Sequence, residues 1–215
     1  MMSSYEQMSW SQNALKKENY NDRSSFNGTL LFITSVMPKH PRTISKHLDY
    51  ENPYMKVHTY VTSYPDGRKR DYFVLDRRGD FSIVIPFFED GSTLLVGQYR
   101  VPIQSYSWEF PMGTVYNKTP LQIAKQELRE ETGLTGRSFI KIGTFRVSPG
   151  HSMQSSHVFV VKNLTQGNPD PEPFEILSLK RVKVNEVKTM IKNGTIKDGP
   201  TIVANSFLEN YLTSL

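Results

Sequence analysis

Three glutamates lie close together after a threonine–proline pair. Glu127, Glu130 and Glu131 are spaced i, i+3 and i+4, which places their side chains on one part of a helix surface. Like-charge neighbours of this kind destabilise an isolated helix by about 0.2–0.5 kcal/mol each. Mg²⁺ binds through one or two carboxylates and completes its coordination with water and substrate phosphate oxygens. The cluster therefore predicts a divalent-cation site, with an acidic solvated helix as the alternative.

Basic residues in the same segment do not neutralise these glutamates. Lys125 and Arg129 are four residues apart and face each other, so no opposite-charge pair occurs at i+3 or i+4. The glutamates also lie in the second half of the segment, where the helix dipole disfavours negative charge by about 0.3–1 kcal/mol each. Local propensity opposes this arrangement, and such conflicts concentrate at functional sites.

The helix that carries the glutamates has clear boundaries in the sequence. Thr119 and Gln122 form a capping box, Pro120 suits the first helical position, and Gly133 suits the left-handed residue that ends a helix. Apolar residues at i, i+3 and i+7 predict a stripe that faces the core, namely Leu121, Ala124 and Leu128. We expect the glutamates on another part of the helix surface.

Strand patterns occur on both sides of this helix, with turn residues between them. The strand candidates are residues 57–63, 71–75, 81–88, 94–99, 139–146 and 157–161. The first two are predicted to form a hairpin, and so are the third and fourth. Helices are predicted over residues 185–193 and from Pro200. Strands interspersed with a few helices predict an α/β (α+β) fold.

Length and composition indicate one globular domain with an extension. The chain has 215 residues, of which 37% are hydrophobic, enough to bury a core. Residues 1–45 are rich in Ser, Asn and Lys and lack periodicity, although residues 29–34 are a strand candidate. We therefore expect a partly flexible N-terminal extension over residues 1–45 and a folded domain over residues 46–215.

Several classes of protein are excluded by composition. The absence of cysteine rules out disulfides and thiolate metal sites. No apolar run approaches the roughly 18 residues of a membrane span, and the first residues lack a secretory pattern, so a cytoplasmic protein is expected. The net charge is +5, but basic residues are scattered, so nucleic acid is not expected as a partner. A mildly positive surface suits an anionic phosphate substrate.

The segment Gln126-Glu-Leu-Arg-Glu-Glu-Thr-Gly-Leu134 resembles the second half of the Nudix box, which reads Arg-Glu-apolar-any-Glu-Glu-any-Gly-apolar. Other segments resemble the ADP-ribose pyrophosphatase subfamily in the same order. They are Gln98-Tyr-Arg100, Trp108-Glu-Phe-Pro-Met-Gly113, Ser148-Pro-Gly150 and Ile196-Lys-Asp-Gly-Pro-Thr201. The resemblance covers residues 50–215 and implies a mixed β-sheet between helices, with a loop–helix–loop metal site.

This resemblance also implies metal ligands. Glu127 and Glu131 match the principal ligands, Glu130 matches a further carboxylate of the site, and the backbone carbonyl of Met112 matches a backbone ligand. Glu130 and Glu131 are the catalytic candidates among them. The implied cofactor is Mg²⁺, with Mn²⁺ as the alternative.

The resemblance places further residues on the substrate side of the site. Arg100 matches an arginine that holds substrate phosphate, with an ordinary surface strand residue as the alternative. Gly113 is the box glycine and a substrate-binding candidate. Glu109 either helps to hold the ligand or packs against the loop, and both interpretations stay open.

The chain departs from the Nudix pattern at two places. The loop before the helix is one residue short, Lys118 and Thr119 stand where a glutamate is expected, and Gln126 replaces the arginine that usually pairs with it. The loss of both partners leaves no unpaired charge. The second departure is Gln154, which stands where the subfamily often has a metal-binding or basic glutamate. His151 is the replacement candidate for a general base, since histidine titrates near neutrality.

The sequence thus predicts magnesium-dependent hydrolysis of the pyrophosphate in ADP-ribose or a related nucleoside diphosphate sugar. The alternative is a catalytically weakened Nudix-fold module that senses such a ligand, which the two departures favour and the intact glutamate trio opposes. A third interpretation, an RNA-binding protein, is based on the positive net charge alone. Resemblance also implies a homodimer that exchanges N-terminal strands.

Overall fold

The computed structural model describes residues 39–77, 79–171 and 173–215. The strands in these residues are β1 (Arg42–Glu51), β2 (Lys56–Ser63), β3 (Lys69–Asp76), β4 (Asp80–Pro86), β5 (Ser92–Arg100), β6 (Ser105–Glu109), β7 (Met112–Val115), β8 (Leu134–Arg146), β9 (Ser155–Gln166) and β10 (Ser178–Lys183). The helices are α1 (Pro120–Thr132), α2 (Val184–Lys192) and α3 (Gly199–Thr213). A short 3₁₀ turn (Val101–Ile103) joins β5 to β6.

The central sheet has the order β7-β4-β9-β8 and is mixed, because β4 and β9 are parallel while the outer pairs are antiparallel. Alternate side chains of β4 enter two different cores. Ile83 and Ile85 pack in the core that contains residues of α2 and α3, whereas Val84 packs with residues of α1. The predicted mixed sheet between helices and the α/β class are therefore confirmed.

Two antiparallel sheets complete the described fold, with the orders β10-β5-β6 and β1-β2-β3. The predicted hairpin over residues 57–63 and 71–75 is confirmed by the pairing of β2 with β3. The strands predicted over residues 139–146 and 157–161 are confirmed as parts of β8 and β9, which pair with each other. The bounds of α1 and α2 lie within one residue of those predicted, and α3 begins one residue before the predicted start at Pro200.

The predicted hairpin between residues 81–88 and 94–99 is wrong. β4 belongs to the central sheet and β5 to the β10-β5-β6 sheet, and the two meet only near the turn, where Phe87 forms an isolated bridge with Thr93. Both strands are buried on both faces. Each is therefore a central strand with partners on both sides, so the chain changes sheets at Glu89-Asp90-Gly91 instead of folding back.

The predicted boundary between the N-terminal extension and the folded domain lies inside a strand. β1 extends across the predicted boundary between residues 45 and 46, and nearly all of its residues are exposed. The strand candidate over residues 29–34 lies outside the described residues. Within the described ranges, no helix has the length and apolar character that a membrane crossing requires.

Candidate active site

The helix α1 begins and ends at the residues predicted from its caps. Thr119 and Gln122 make the predicted capping box, and Gly133 ends the helix at φ 72°, in the left-handed region. The buried positions of α1 are Ile123, Ala124, Leu128, Glu131 and Thr132. Two expectations are corrected here. Leu121, predicted for the core stripe, is 38% exposed because it lies at the edge of the buried face, and Glu131 lies within that face instead of on another part of the surface.

Burial makes Glu131 the most perturbed acid of α1. Its side chain is only 4% exposed. Burial, followed by the charges of Glu127 and Glu175, raises its pKa to about 9, while the backbone amide of Met112 opposes the shift by donating a hydrogen bond of 3.2 Å to Oε2. Without a cation, this carboxyl is therefore held in its neutral form at physiological pH.

Gly113 leaves room for the second carboxylate. A Cβ built at Gly113 would overlap the carboxylate and Cγ of Glu127. β7 runs antiparallel to β4, with Gly113 opposite Ser82, and α1 packs on the same strands. Glycine at this position thus allows Glu127 to lie directly against the β7 backbone.

Glu130 faces different partners from the other two glutamates. Its Oε2 accepts a hydrogen bond of 2.9 Å from the Gln126 amide, and its Oε1 accepts one of 2.9 Å from Arg129. Lys118 in turn donates to Gln126 Oε1 at 2.5 Å. The loop and the helix are therefore still joined, although the usual glutamate–arginine pair is absent. Lys118 on the loop donates to the Gln126 amide, which in turn donates to the Glu130 carboxylate.

The remaining pair of carboxylates fits a magnesium ion. Among the described residues, no three His, Asp or Glu side chains converge closely enough to form a complete metal cage. Magnesium needs only one or two carboxylates when phosphate and water complete its shell. The charge of Glu127 disfavours ionisation of the buried Glu131, and a bound cation would offset this cost. Glu130 accepts hydrogen bonds from Gln126 and Arg129 instead.

Arg100, at the end of β5, is fixed by Glu109. The Arg100 guanidinium donates to both carboxylate oxygens of Glu109, at 2.9 and 2.5 Å. Glu109 is buried, whereas the Arg100 side chain is 41% exposed. The hydrogen bonds from Arg100 to Glu109 raise the pKa of Arg100 further above its ordinary value. A permanently charged, oriented guanidinium of this kind is well suited to a phosphate group.

A cleft of about 1170 Å³ brings these groups together. The predicted site residues that line it are Arg100, Glu109, Met112, Gly113, Glu127 and Glu130. Glu131 is buried behind Glu127 and Met112 and is not among the described lining residues. The cleft is large enough for a nucleotide-sized ligand, and both a guanidinium and carboxylates line it.

Neither residue considered for the general base, His151 or Gln154, is among the described residues that line this cleft, although Val147 at the start of their loop is. His151 is exposed. Gln154 is buried, and its amide donates to the carbonyl of Gly79 at 2.7 Å. Gln154 instead lines a smaller neighbouring pocket that includes Tyr54 and Tyr116. The general-base role of His151 stays a prediction without support from this geometry.

Other cleft residues were not predicted from the sequence. Arg77, Tyr116, Lys118, Glu175 and Lys197 line the cleft. The signal for Lys197 was present, because it lies in the segment at residues 196–201 that resembles the subfamily. Glu175 had no such signal, since it lies in a segment with prolines at 169, 171 and 173 and no strand or helix periodicity.

Comparison with known proteins assigns the family. The NUDIX domain model matches residues 76–203, which include the cleft residues of β5, β7 and α1 and those at the start of α3. The chain therefore belongs to the Nudix family, and the resemblance inferred from the sequence is confirmed.

Similar proteins include several pyrophosphatases. The chain is 23% identical to the ADP-ribose pyrophosphatase of Bacillus subtilis (strain 168), over 78% of this chain and 92% of the relative. It is 29% identical to the ADP-sugar pyrophosphatase of Mus musculus, over 69% and 77%. It is 26% identical to the GDP-mannose pyrophosphatase of Shigella flexneri, over 78% and 94%. The crystal structure of an ADP compounds hydrolase shares the fold, with a TM-score of 0.72 at 16% identity, over 82% of this chain and 96% of that chain.

Proposed function

We propose that this chain hydrolyses the pyrophosphate of ADP-ribose or a related nucleoside diphosphate sugar, with Mg²⁺ or Mn²⁺ as cofactor. The observation that carries the proposal is that the carboxylates of Glu127 and Glu130 on α1 line the same cleft as the guanidinium of Arg100. The relatives named above act on ADP-ribose, ADP-sugars and GDP-mannose, which share a nucleoside diphosphate joined to a sugar.

In this mechanism Glu127 and Glu131 would hold the cation, with the Met112 carbonyl as a backbone candidate. When bound, it supplies positive charge for the phosphates and acidifies water. Arg100, held by Glu109, binds and orients the phosphates. A water oxygen forms a bond to one phosphorus, the bond from that phosphorus to the bridging oxygen breaks, and two phosphomonoesters leave.

The experiment that tests this function is a product assay. Purified protein is incubated with ADP-ribose, ADP-glucose and GDP-mannose, with Mg²⁺, Mn²⁺ or EDTA, and products are followed by ³¹P NMR. We expect a nucleoside monophosphate and a sugar phosphate from at least one compound, with either cation and not with EDTA. Ligand-dependent stabilisation without turnover of any compound would instead support the sensing module.

We also propose that the chain forms a homodimer through the β1-β2-β3 sheet. β1 and most of β3 are exposed, and the large apolar side chains left in contact with solvent include Leu48 and Phe73, at 51% and 67% exposure. Light scattering after size exclusion tests this, with a Leu48→Ser/Phe73→Ser variant expected to be monomeric. A monomeric parent protein would contradict it. The expected cytoplasmic location stays a prediction.

A further inference from the structure

We propose that Lys118 binds the diphosphate of the substrate, as a cation that Gln126 fixes in the cleft without neutralising its charge. This inference rests on the proposed hydrolysis of a nucleoside diphosphate sugar and adds a binding residue to that site. It is carried by the turn that directs Lys118 into the cleft, by the neutral partner of its ammonium group, and by the different situation of Arg100.

The loop between β7 and α1 is fixed at both of its ends. β7 pairs with β4 in the central sheet, and the capping box at Thr119 fixes the start of α1. Between them the chain turns at Asn117, whose φ of 54° lies in the left-handed region that asparagine tolerates better than most residues. Both neighbours of Asn117, Tyr116 and Lys118, line the cleft. The backbone therefore determines where the Lys118 side chain enters the cleft wall.

The ammonium group of Lys118 is held by a neutral acceptor. Lys118 Nζ donates to Gln126 Oε1 at 2.5 Å, and the same amide donates through Nε2 to Glu130 at 2.9 Å. Among the described residues, Lys118 forms no ion pair with a carboxylate. An ammonium group has three N–H donors, and Gln126 accepts from one of them. The positive charge and the remaining donors can therefore interact with a ligand.

A second fixed cation of the cleft, Arg100, is compensated. It donates to both carboxylate oxygens of Glu109, whose side chain is 3% exposed, so a buried negative charge offsets that of the guanidinium. Arg77 and Lys197 also line the cleft, but within the described residues no hydrogen bond or ion pair fixes either side chain. Among the described lining residues, Lys118 is thus the cation that is both fixed and uncompensated.

Lys118 also lies beside the part of α1 that would hold the metal ion. Its partner Gln126 directly precedes Glu127, and all three residues line the cleft. In the Nudix pattern the loop carries a glutamate and the helix an arginine, whose charges cancel. Lys118 and Gln126 join the same loop and helix but leave a net positive charge. This charge offsets the repulsion that the α1 carboxylates exert on an anionic substrate.

The fixed position of Lys118 predicts which step of the reaction it serves. Part of the rotamer freedom that a lysine side chain loses on binding is already lost in the bond to Gln126. A contact to a phosphate that is charged before and during hydrolysis stabilises the bound substrate and the transition state alike. We therefore expect Lys118 to act on KM and to have little effect on kcat.

The test measures binding of α,β-methylene-ADP, whose bridging carbon cannot be hydrolysed, by isothermal titration calorimetry. Lys118→Gln should raise the Kd about tenfold or more, as expected for the loss of a hydrogen bond to a charged group. Lys118→Arg keeps the charge and should stay within about threefold of the parent Kd. Lys125→Gln is the matched control and should bind like the parent, because Lys125 is exposed on α1, over the ring of Phe139 and outside the described cleft lining.

A double variant separates the charge of Lys118 from its connection to the helix. Lys118→Glu/Gln126→Arg restores the glutamate–arginine pair of the Nudix pattern, so it keeps a link between loop and helix and removes the uncompensated charge. We expect a melting temperature within about 2 °C of the parent and the same loss of affinity as in Lys118→Gln. In turnover assays both variants should raise KM about tenfold, with kcat changed less than about threefold.

The same titrations in EDTA separate this role from metal binding. The difference between the parent protein and Lys118→Gln should persist there, because the contact with Lys118 does not need the divalent cation. A difference that disappears in EDTA, or parental affinity in the double variant, would overturn the proposal.

Failure of this proposal is distinguishable from failure of the proposed function. Unchanged affinity in Lys118→Gln, or an equal loss in Lys125→Gln, overturns the role of Lys118 whatever the activity of the protein. If the parent protein hydrolyses none of the three sugar nucleotides, the proposed function fails even where the analogue binds through Lys118.

Discussion

Two loops flank strand β9, and they differ in whether their polar side chains bind the rest of the fold or line the cleft. The anchoring loop, which we define as residues 147–154, connects β8 to β9 and is bonded to the rest of the fold. The His151 carbonyl accepts from the amide of Leu75 at 2.7 Å, and the Gln154 amide donates to Gly79. Arg146 donates to the carbonyl of Met153. This loop therefore joins the end of β3 to the central sheet.

The loop at the other end of β9, which we call the cleft loop (residues 167–171 and 173–177), is attached through its backbone and contributes a side chain to the cleft wall. Its amides cap α1 at Gly133 and Glu130, and Glu175 lines the cleft. The sequence places the subfamily resemblance, Ser148-Pro-Gly150, in the anchoring loop. Gln154 in that loop is bound to Gly79, and an amide offers the cleft no proton-accepting group.

The largest effect that separates the two regions is expected at Glu131. Glu131→Gln should lower kcat/KM roughly a thousandfold, because a divalent cation supplies several kcal/mol of transition-state stabilisation and about 1.4 kcal/mol corresponds to a tenfold change in rate. The fold should be retained, since the amide replaces a carboxyl already held neutral by burial. Steady-state kinetics with circular dichroism checks both statements. Unchanged turnover at limiting Mg²⁺ would exclude Glu131 as a principal ligand.

A smaller loss of activity is expected when a side chain at position 113 fills the space that Glu127 occupies. Gly113→Ala should reduce kcat/KM about 10²-fold, because its Cβ would displace the Glu127 carboxylate and small misplacements at a reacting centre are costly. Gly150→Ala is the matched control in the anchoring loop, since a Cβ there meets no atom within 4 Å. Equal rates for the two variants would mean that the Gly113–Glu127 contact is unimportant for catalysis.

The smallest effect is expected in the anchoring loop itself. His151→Ala should lower kcat by less than about tenfold, below the roughly 10²–10⁴-fold that a general base contributes. The backbone carbonyl that binds Leu75 is kept, so the fold should be unaffected. The pH–rate profile should keep its shape. A larger loss, with disappearance of an inflection near neutral pH, would make His151 the base.

The features predicted correctly from the sequence are those determined by residues close together along the chain. The bounds of α1 follow from Thr119, Pro120 and Gly133, whose capping effects act within a single turn. The pairing of β4 and β5 could not be predicted in this way. Both strands are apolar on both faces, so their partners are decided by distant segments, β9 and β10.

The sequence indicates which carboxylates could bind a cation, but not how deeply each of them is buried. The spacing of Glu127 and Glu131 indicates that the two share a helix face, but not that this face packs on β7 and buries Glu131. Glu175 was missed for a physical reason. Phe174 and Ile176 are 98% and 89% exposed while Glu175 between them lines the cleft, which is the reverse of what side-chain hydrophobicity predicts.

The claim on which this comparison depends is that α1, next to the cleft loop, holds the divalent cation, and thermal unfolding tests it most directly. Mg²⁺ at about a hundredfold above its Kd should raise the melting temperature of the parent protein by roughly 5–10 °C, because it binds the native state and not the unfolded chain. The Glu127→Ala/Glu130→Ala/Glu131→Ala variant should show no such rise. Equal rises in the two proteins would contradict the assignment of the metal site to this helix.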